Sequence, residues 1–293
     1  MIGKVAVVTG ANQGIGFGII KLLCKRGVKT VYLTARDEKR GTEAVKTLNS
    51  KGLFPVFHQL DITNEESIKK FEYFIKNRHR CIDILVNNAA VACKTFSEVT
   101  YDDAKNVINV NFNSILTMEK YIYPLLNDNA RVINISSDSG HLSKLKNKYW
   151  IERLSREDLQ LNDINDFTSW FLDSIKNNTF KKEDFTWNFL YSYVVAKIAV
   201  SAYTRVQQRN IGRGICVNSL HPGFVKTSMT KGTGLLTIEE AAEAPVYLAL
   251  DADTSIRGKY IWYDKAEVDW ADTSLVLNYV DEHTMKEFLQ KIS

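Results

Sequence analysis

Tyr193 and Lys197 lie four residues apart at the start of an apolar stretch with helical spacing. Side chains at this separation project from the same helix face, so the phenol and the ammonium group are neighbours. A free phenol has a pKa of about 10 and is a poor acid or base at neutral pH, whereas an adjacent cation stabilises the phenolate and lowers that pKa. The pair could therefore act as a general acid or base, although the same spacing is common on ordinary helices.

A glycine-rich turn at 9–16 lies directly after the first predicted strand and opens a predicted helix. Gly10, Gly14 and Gly16 allow the backbone to approach a pyrophosphate, which the N–H groups and positive dipole of a helix N-terminus favour. Their spacing differs from the strict dinucleotide fingerprint GxGxxG, and without a Gly-Lys-Ser/Thr ending the turn is not a triphosphate-binding P-loop. A simple helix-capping turn is the alternative interpretation.

Arg36 follows the second predicted strand, where many NAD-binding folds carry an acid that binds the adenosine ribose. Neither of the two preceding residues is acidic, and a guanidinium group suits a 2′-phosphate, so the pattern favours NADP over NAD. Lys39 and Arg40 add positive charge that could hold a small anion. Asp37 could cap the next helix or pair with Arg36.

Ser136 and Ser137 close the strand before a long polar segment. The carboxyl end of a parallel strand is where such folds hold their ligands, and a hydroxyl group there could bind a substrate carbonyl. Adjacent side chains on a strand face opposite ways, so only one of the two is available. The residues alone do not decide which.

Apolar, β-branched runs alternate with amphipathic stretches and predict strands at 5–9, 30–34, 55–60, 82–86 and 131–136. The pattern resumes with a helix at 191–208, a strand at 214–220 and a helix from 238. Because the runs are apolar throughout rather than alternating, they predict a parallel sheet that is buried on both faces. The predicted fold class is α/β, a doubly wound parallel sheet of the Rossmann type, with a helical insertion before the Tyr193 helix.

No Gly/Ser-rich linker interrupts the chain, so residues 1–293 are predicted to form a single domain. Within it, 141–190 is the helical insertion and 271–293 is a C-terminal helical extension with amphipathic spacing. Packing of this extension on the domain is the simpler interpretation, and binding of a partner is the alternative.

Composition excludes several classes of function. The net charge of +4 is scattered along 293 residues, which argues against nucleic-acid binding. No apolar run is long enough to span a membrane and no leader precedes the first strand, so we expect a cytoplasmic protein without membrane contact. The four cysteines form no CxxC pair and the five histidines no HExxH motif, so neither disulfides nor a metal site is predicted.

Taken together, these residues resemble the short-chain dehydrogenase/reductase family over roughly 3–270. The shared motifs also include Asp61, the Asn-Asn-Ala-Ala run at 87–90, Asn111 and the Pro-Gly pair at 222–223, all in the order of the family. The long segment between Ser137 and Tyr193, with the runs at 33–37 and 57–61, resembles the monomeric, NADPH-dependent carbonyl reductase branch.

The resemblance implies four catalytic positions. Tyr193 would be the acid/base, Lys197 would lower its pKa and hold the nicotinamide ribose, Ser137 would orient the carbonyl, and Asn111 would support a proton-relay water. The reaction would be hydride transfer from NADPH to a small-molecule carbonyl substrate, with protonation of the alkoxide by Tyr193.

The resemblance also implies a set of NADP(H) contacts. The phosphates and inner ribose would meet Gly10, Asn12, Gln13, Gly14, Ile15, Gly16 and Asn88; the 2′-phosphate would meet Arg36. The adenine would meet Asp61 and Ile62, and the nicotinamide side would meet Pro222, Gly223, Val225 and Thr227, beside Tyr193 and Lys197. Gln13 and Ala90 depart from the common family pattern.

Asp138 and Ser139 stand at positions that are apolar in well-known carbonyl reductases, so we expect the site to discriminate against large apolar quinones or lipids. In the resembled branch the insertion covers the surface used for tetramer assembly, which predicts a monomer. The predicted function is NADPH-dependent reduction of aldehydes, ketones or quinones. The alternatives are a dedicated alcohol, steroid or prostaglandin dehydrogenase on the same scaffold, or a non-catalytic NADP(H)-binding regulator.

Overall fold

The computed structural model describes residues 3–94, 98–275, 280, 284, 287, 288, 290 and 291. Its centre is one eight-stranded sheet in the order β3-β2-β1-β4-β5-β6-β7-β8. The strands are β1 (Val5–Val8), β2 (Thr30–Ala35), β3 (Val56–Gln59), β4 (Ile82–Asn87), β5 (Leu126–Ile135), β6 (Cys216–Leu220), β7 (Tyr260–Ile261) and β8 (Glu267–Val268). All neighbours pair in parallel except β7 and β8.

The helices connect these strands and cover both faces of the sheet. They are α1 (Gly14–Lys25), α2 (Glu38–Asn49), α3 (Glu65–Arg78), α4 (Tyr101–Ile108), α5 (Ser114–Ile122), α6 (Lys148–Ser155), α7 (Leu161–Lys176), α8 (Tyr191–Ile211) and α9 (Ile238–Leu250). A π-helical turn, Asn109–Asn113, joins α4 to α5. The structure confirms the predicted doubly wound α/β fold.

Strand β1 shows why the sheet is buried on both sides. Its residues are all buried, and alternate side chains enter different cores: Val5 and Val7 pack with α3 and α5, whereas Ala6 and Val8 pack with α1 and α9. Because successive side chains of a strand point to opposite faces, an unbroken apolar run requires a layer of helices on each face.

The order of the strands reverses beside β1. The chain runs outward from β1 through β2 to β3 and then returns to place β4 on the other side of β1. Connections from β1 and β4 therefore leave in opposite directions and open a crevice at their carboxyl ends, which is where ligands bind in open α/β sheets.

Segment 141–190 contains α6 and α7. Helix α7 packs against α4 and α8, and α6 packs against α7. Two arginines of α8 fasten the segment: Arg205 donates to the carbonyl of Leu154 at 3.1 Å, and Arg209 donates to that of Glu157 at 2.6 Å. These bonds satisfy carbonyl groups that the end of α6 and the following turn leave without helical partners.

Within the predicted C-terminal extension, residues 284, 287, 288, 290 and 291 are helical, and Phe288 packs edge-on against Phe224 with ring centroids 5.4 Å apart. Most of the amphipathic pattern, including Leu277 and Leu289, lies outside the described residues. No helix in the described part of the chain is long and apolar enough to cross a membrane.

Candidate active site

Two adjoining cavities lie at the carboxyl ends of β1, β4, β5 and β6. The first is lined by the glycine turn, by 88 and 90–92 after β4, and by Lys197. The second extends from the first toward 187–190 and 222–230 and is mostly apolar. Tyr193 is among the residues that line both, so it stands at their junction.

The glycine turn brings the N-terminus of α1 to the first cavity. Gly10 and Gly14 have φ of +61° and +58°, and a Cβ on Gly10 would lie 2.8 Å from Cα of Ala89. No side chain caps α1 and its first turn carries no acidic residue, whereas α2, α3 and α4 are each capped by a side chain. The uncapped N–H groups and the missing Cβ atoms form a cradle that fits a phosphate.

Thr9 and Asn88 join the ends of β1 and β4 below this cradle. The Thr9 hydroxyl accepts from the backbone N–H groups of Asn88 and Ala89, both at 3.0 Å. The Asn88 amide donates to the carbonyls of Thr9 at 2.8 Å and Gly10 at 3.2 Å. Asn88 therefore holds the first turn of the cradle, and it also lines the first cavity.

The structure resolves the two interpretations of Asp37. Its carboxylate accepts from the N–H of Arg40 at 2.8 Å and caps α2. The exposed side chain of Arg36 has no hydrogen bond or ion pair with the described residues. A shallower groove between α1 and α2 is lined by Asn12, Gln13 and Arg40. Arg40 therefore provides a second guanidinium group in addition to that of Arg36.

Asp61 and Ile62 follow β3, farther from the two cavities. The Asp61 carboxylate accepts from the N–H of Thr63 at 2.9 Å and from its hydroxyl at 2.6 Å. Ile62 is buried against the α3 side of the sheet. Neither side chain lines either cavity.

Ser136 and Ser137 face different surroundings, as the alternation of a strand requires. Ser136 is buried, and its Oγ lies 2.7 Å from Oγ of Ser201 and donates to the carbonyl of Lys197 at 3.3 Å. Both serines line the second cavity, but the Ser136 hydroxyl is engaged by these core contacts, whereas a hydrogen bond with Ser137 lowers the pKa of Tyr193. Ser137 is therefore the hydroxyl that stands beside the phenol.

The pKa of Tyr193 is raised, which is the opposite of what the Tyr-Lys spacing predicts. Burial is the main cause, and the negative charge of Asp138 adds to it. Both effects disfavour the phenolate. At neutral pH the phenol of Tyr193 is therefore protonated in this structure and can act as a proton donor.

Lys197 is also buried, which explains its weak effect on the phenol. Its Nζ lies 5.5 Å from the centroid of the Tyr193 ring and donates to the carbonyl of Ile135 at 2.6 Å. Burial lowers the pKa of Lys197 from 10.5 to about 7. The group is thus only partly charged at neutral pH.

Asn111 lies in the π-helical turn and is buried. Its side chain makes two bonds with the backbone of Val91, accepting from the N–H at 2.8 Å and donating to the carbonyl at 2.9 Å. Val91 lines the first cavity. The Asn111 side chain therefore positions the loop after β4, with both its amide oxygen and its amide nitrogen bonded to that loop.

The segment after β6 closes both cavities from the opposite side. Pro222 and Thr227 line the two of them, while Gly223 and Val225 line the second. Gly223 has φ of +90°, and a Cβ there would lie 2.4 Å from the side chain of Leu236. Val225 forms a parallel bridge with Leu236, which fixes the course of the segment.

Sequence reasoning missed two residues that hold Ser137 and Asp138. His221 accepts from the N–H of Asp138 through Nδ1 at 2.8 Å, and the Tyr260 hydroxyl donates to the carbonyl of Ser137 at 2.7 Å. Burial lowers the pKa of His221 to about 4, so the imidazole is neutral. The only sequence signal for His221 was its position directly before the Pro-Gly pair at 222–223. A buried histidine with a structural role belongs to no local motif that would identify it.

The family described as short chain dehydrogenase matches residues 4–148 of the chain. "Carbonyl reductase [NADPH] 3" from Rattus norvegicus is 38% identical over 255 residues, which cover 84% of this chain and 91% of that protein. "(+)-Neomenthol dehydrogenase" from Arabidopsis thaliana is 36% identical over 273 residues, with the same coverage of 84% and 91%.

The structure of salutaridine reductase from Papaver somniferum is similar to this one, with a TM-score of 0.81 and 34% sequence identity. The similarity covers 89% of this chain and 99% of that chain.

Proposed function

Since the chain belongs to the short-chain dehydrogenase/reductase family, we propose that it is an NADPH-dependent carbonyl reductase that converts aldehydes, ketones or quinones to alcohols. The observation that carries the proposal is the place of Tyr193 at the junction of the two cavities. A protonated phenol at that point can reach a carbonyl oxygen in the apolar cavity while a nicotinamide occupies the other.

The first cavity fits NADP(H). The uncapped N-terminus of α1 and the glycine cradle would hold the pyrophosphate, with Gly10, Gly14 and Asn88 at the closest approach. The exposed guanidinium of Arg36 would bind the 2′-phosphate. Asp61 and Ile62 would lie on the adenine side, and Val225 and Thr227 on the nicotinamide side. When bound, NADPH supplies the hydride.

In the proposed reduction, Ser137 and Tyr193 bind the carbonyl oxygen together. Their hydroxyl groups stabilise the negative charge that develops on this oxygen as the carbonyl carbon is reduced. Tyr193 then donates its proton to the alkoxide, for which its raised pKa keeps it protonated at neutral pH. Burial in a largely apolar cavity strengthens these hydrogen bonds, because water does not compete for them.

Lys197 would return a proton to Tyr193, and Asn111 would support the site through the backbone. Lys197 lies beside the Tyr193 ring with a pKa of about 7, so it can give up and regain a proton in the neutral range. It would also bind the nicotinamide ribose. Asn111 would act through Val91, whose backbone it holds at the wall of the first cavity.

A substrate panel tests the proposal. Consumption of NADPH, followed by nicotinamide absorbance, is measured with a small aldehyde, isatin and menadione, and repeated with NADH. Turnover that is faster with NADPH supports the carbonyl reductase. NADPH binding without turnover of any carbonyl would instead favour the non-catalytic regulator, and turnover of a single alcohol class would favour a dedicated dehydrogenase.

We further propose that residues 1–293 form a single domain that is monomeric and cytoplasmic, with 141–190 as its insertion. The packing of α7 on α4 and α8 supports this, because it covers helix surface that would otherwise be open to a second chain. Light scattering is expected to give the mass of one chain, and cell fractionation should recover the protein with cytoplasmic markers. A mass of two chains or more would contradict the monomer.

A further inference from the structure

The second cavity has an aromatic wall with one carboxylate. Trp187 and Phe189 stack with ring centroids 5.1 Å apart, and Phe224 and Phe288 form an edge-to-face pair beside them. Among its described lining residues, Asp138 is the only acidic side chain and none is basic. Negative charge next to aromatic faces creates an environment that favours a cation.

The Asp138 carboxylate is held in place by neighbouring donors. Its Oδ1 accepts from the hydroxyl of Ser137 at 2.9 Å and from the N–H of Ser139 at 2.7 Å. These bonds orient the group directly beside the proposed position of the carbonyl oxygen. They do not neutralise its charge, since both donors are themselves uncharged.

In the described part of the chain, the Asp138 carboxylate forms no ion pair with the basic groups near it. His221, which accepts from the backbone N–H of Asp138, is neutral at pH 7 because burial lowers its pKa to about 4. Lys144 acts on Asp138 only through space, and its Nζ lies 4.0 Å from the ring centroid of Trp187. Lys144 does not line the cavity.

A half-buried carboxylate without an ion pair attracts a cation and repels an anion more strongly than it would in water. We propose that Asp138 is a specificity determinant that selects carbonyl substrates with a protonated amine and rejects those with a carboxylate. This inference rests on the proposed function, because it takes Ser137 and Tyr193 as the groups that bind the carbonyl oxygen.

The geometry also sets the spacing of the two groups in the substrate. The single hydroxyl proton of Ser137 is donated to Asp138 in this structure. It would turn to the carbonyl oxygen when the substrate binds, and the ammonium group would replace it as the donor to the Asp138 carboxylate. With hydrogen bonds of about 2.8 Å, the ammonium nitrogen lies roughly 4 to 7 Å from the carbonyl oxygen. A spacer of about three carbons between the carbonyl and the amine covers this distance.

Three phenyl ketones of matched shape test the proposal. Each has a three-carbon spacer after the carbonyl, ending in a dimethylammonium, an isopropyl or a carboxylate group. With the wild-type protein and NADPH, kcat/KM for the ammonium ketone is expected to exceed that for the isopropyl ketone by roughly tenfold or more, and the carboxylate ketone should be the poorest substrate. Equal values for the ammonium and isopropyl ketones would overturn the proposal.

Asp138→Asn removes the charge and keeps an acceptor for Ser137, so the ammonium preference should fall to about onefold to threefold in that variant. Asp264→Asn is the matched control, because Asp264 is an exposed carboxylate that also acts on His221 but does not line the cavity. It should keep the wild-type ratio. A preference that survives Asp138→Asn would overturn the proposal, and Asp138→Ser gives the same test if the Asn variant does not fold.

A binding measurement separates this inference from the proposed function. Quenching of tryptophan fluorescence reports binding of each ketone to the complex with NADP⁺. If no ketone is reduced but the ammonium ketone binds more tightly through Asp138, the specificity inference stands and the reductase proposal fails. If the isopropyl ketone is reduced and no ammonium preference appears, the reductase stands and the inference fails.

Discussion

The Oγ atoms of Ser136 and Ser201 lie 2.7 Å apart and share a hydrogen bond in the core between β5 and α8. The hydroxyl of Ser136 therefore contributes to the packing of the core. The neighbouring Ser137 lines the apolar cavity, and its hydroxyl bonds to Tyr193. Two chemically identical side chains thus have separable structural and proposed catalytic roles.

Replacement of each serine by alanine tests this separation. Ser137→Ala is expected to lower kcat/KM by roughly a hundredfold, because it removes a donor to the developing oxyanion. Ser136→Ala should leave kcat/KM within about threefold but lower the free energy of unfolding by about 1 to 2 kcal/mol, since Ser201 loses its partner. Steady-state kinetics and urea denaturation measure the two effects. A large loss of kcat/KM in Ser136→Ala, with little loss in Ser137→Ala, would contradict our account.

Gly10→Ala and Gly27→Ala form a matched pair for the cradle. Both glycines have a left-handed conformation, with φ of +61° and +76°, so both variants should lose about 1 kcal/mol of unfolding free energy. A Cβ at Gly27 meets nothing within 4 Å, whereas one at Gly10 meets Ala89 at 2.8 Å. Gly10→Ala should therefore lose a further ~1 to 3 kcal/mol and most of its NADPH affinity. Equal losses in the two variants would rule out the close approach.

Arg36→Ala tests the proposed 2′-phosphate contact. Loss of a charge-assisted hydrogen bond of about 1.5 to 3 kcal/mol should raise the Kd for NADPH by roughly ten- to a hundredfold. The Kd for NADH, which has no 2′-phosphate, should change little. Lys46→Ala, at the far end of α2, is the charge-matched control and should affect neither value. An equal effect of Arg36→Ala on both cofactors would contradict the contact.

His221 gives a pH dependence of stability. Its pKa falls from 6.5 in the unfolded chain to about 4 in the fold, so between these values the unfolded state binds more protons. Stability must then decrease as the pH falls from 6.5 to 4, by about 3 kcal/mol from this group. His221→Asn keeps an acceptor for the Asp138 N–H and should remove this contribution to the pH dependence of stability. Urea denaturation at several pH values between 6.5 and 4 measures the free energy of unfolding. The same pH dependence in the wild type and the variant would contradict the role of His221.

The sequence was sufficient for most of the fold because its strands are apolar, β-branched runs. Predicted strands at 30–34 and 82–86 agree with β2 and β4 to within one residue at each end. The two-residue strands β7 and β8 were not predicted, since so short a segment has no periodicity and becomes a strand only through its pairing, β7 with β6 and β8 with β7. Local pattern cannot reveal such pairing.

The site was less predictable, because its chemistry depends on contacts between distant parts of the chain. The choice of Ser137 over Ser136 follows from a turn that His221 and Tyr260 hold, more than 80 residues later in the sequence. The direction of the Tyr193 pKa depends on burial and on Asp138, whereas the Tyr-Lys spacing indicated only the effect of Lys197. The resemblance singled out Asn111 as a candidate site residue, but its bonds to Val91 required the structure.

The most direct test of our central claim, that Tyr193 donates the proton in carbonyl reduction, is single-turnover oxidation of NADPH by Tyr193→Phe beside the wild-type protein. The best carbonyl of the panel should be used, and NADPH affinity should be measured in parallel. We predict that Tyr193→Phe binds NADPH within about threefold of wild type and that its rate of reduction falls by a hundredfold or more. Reduction at the wild-type rate, with NADPH bound, would contradict the account.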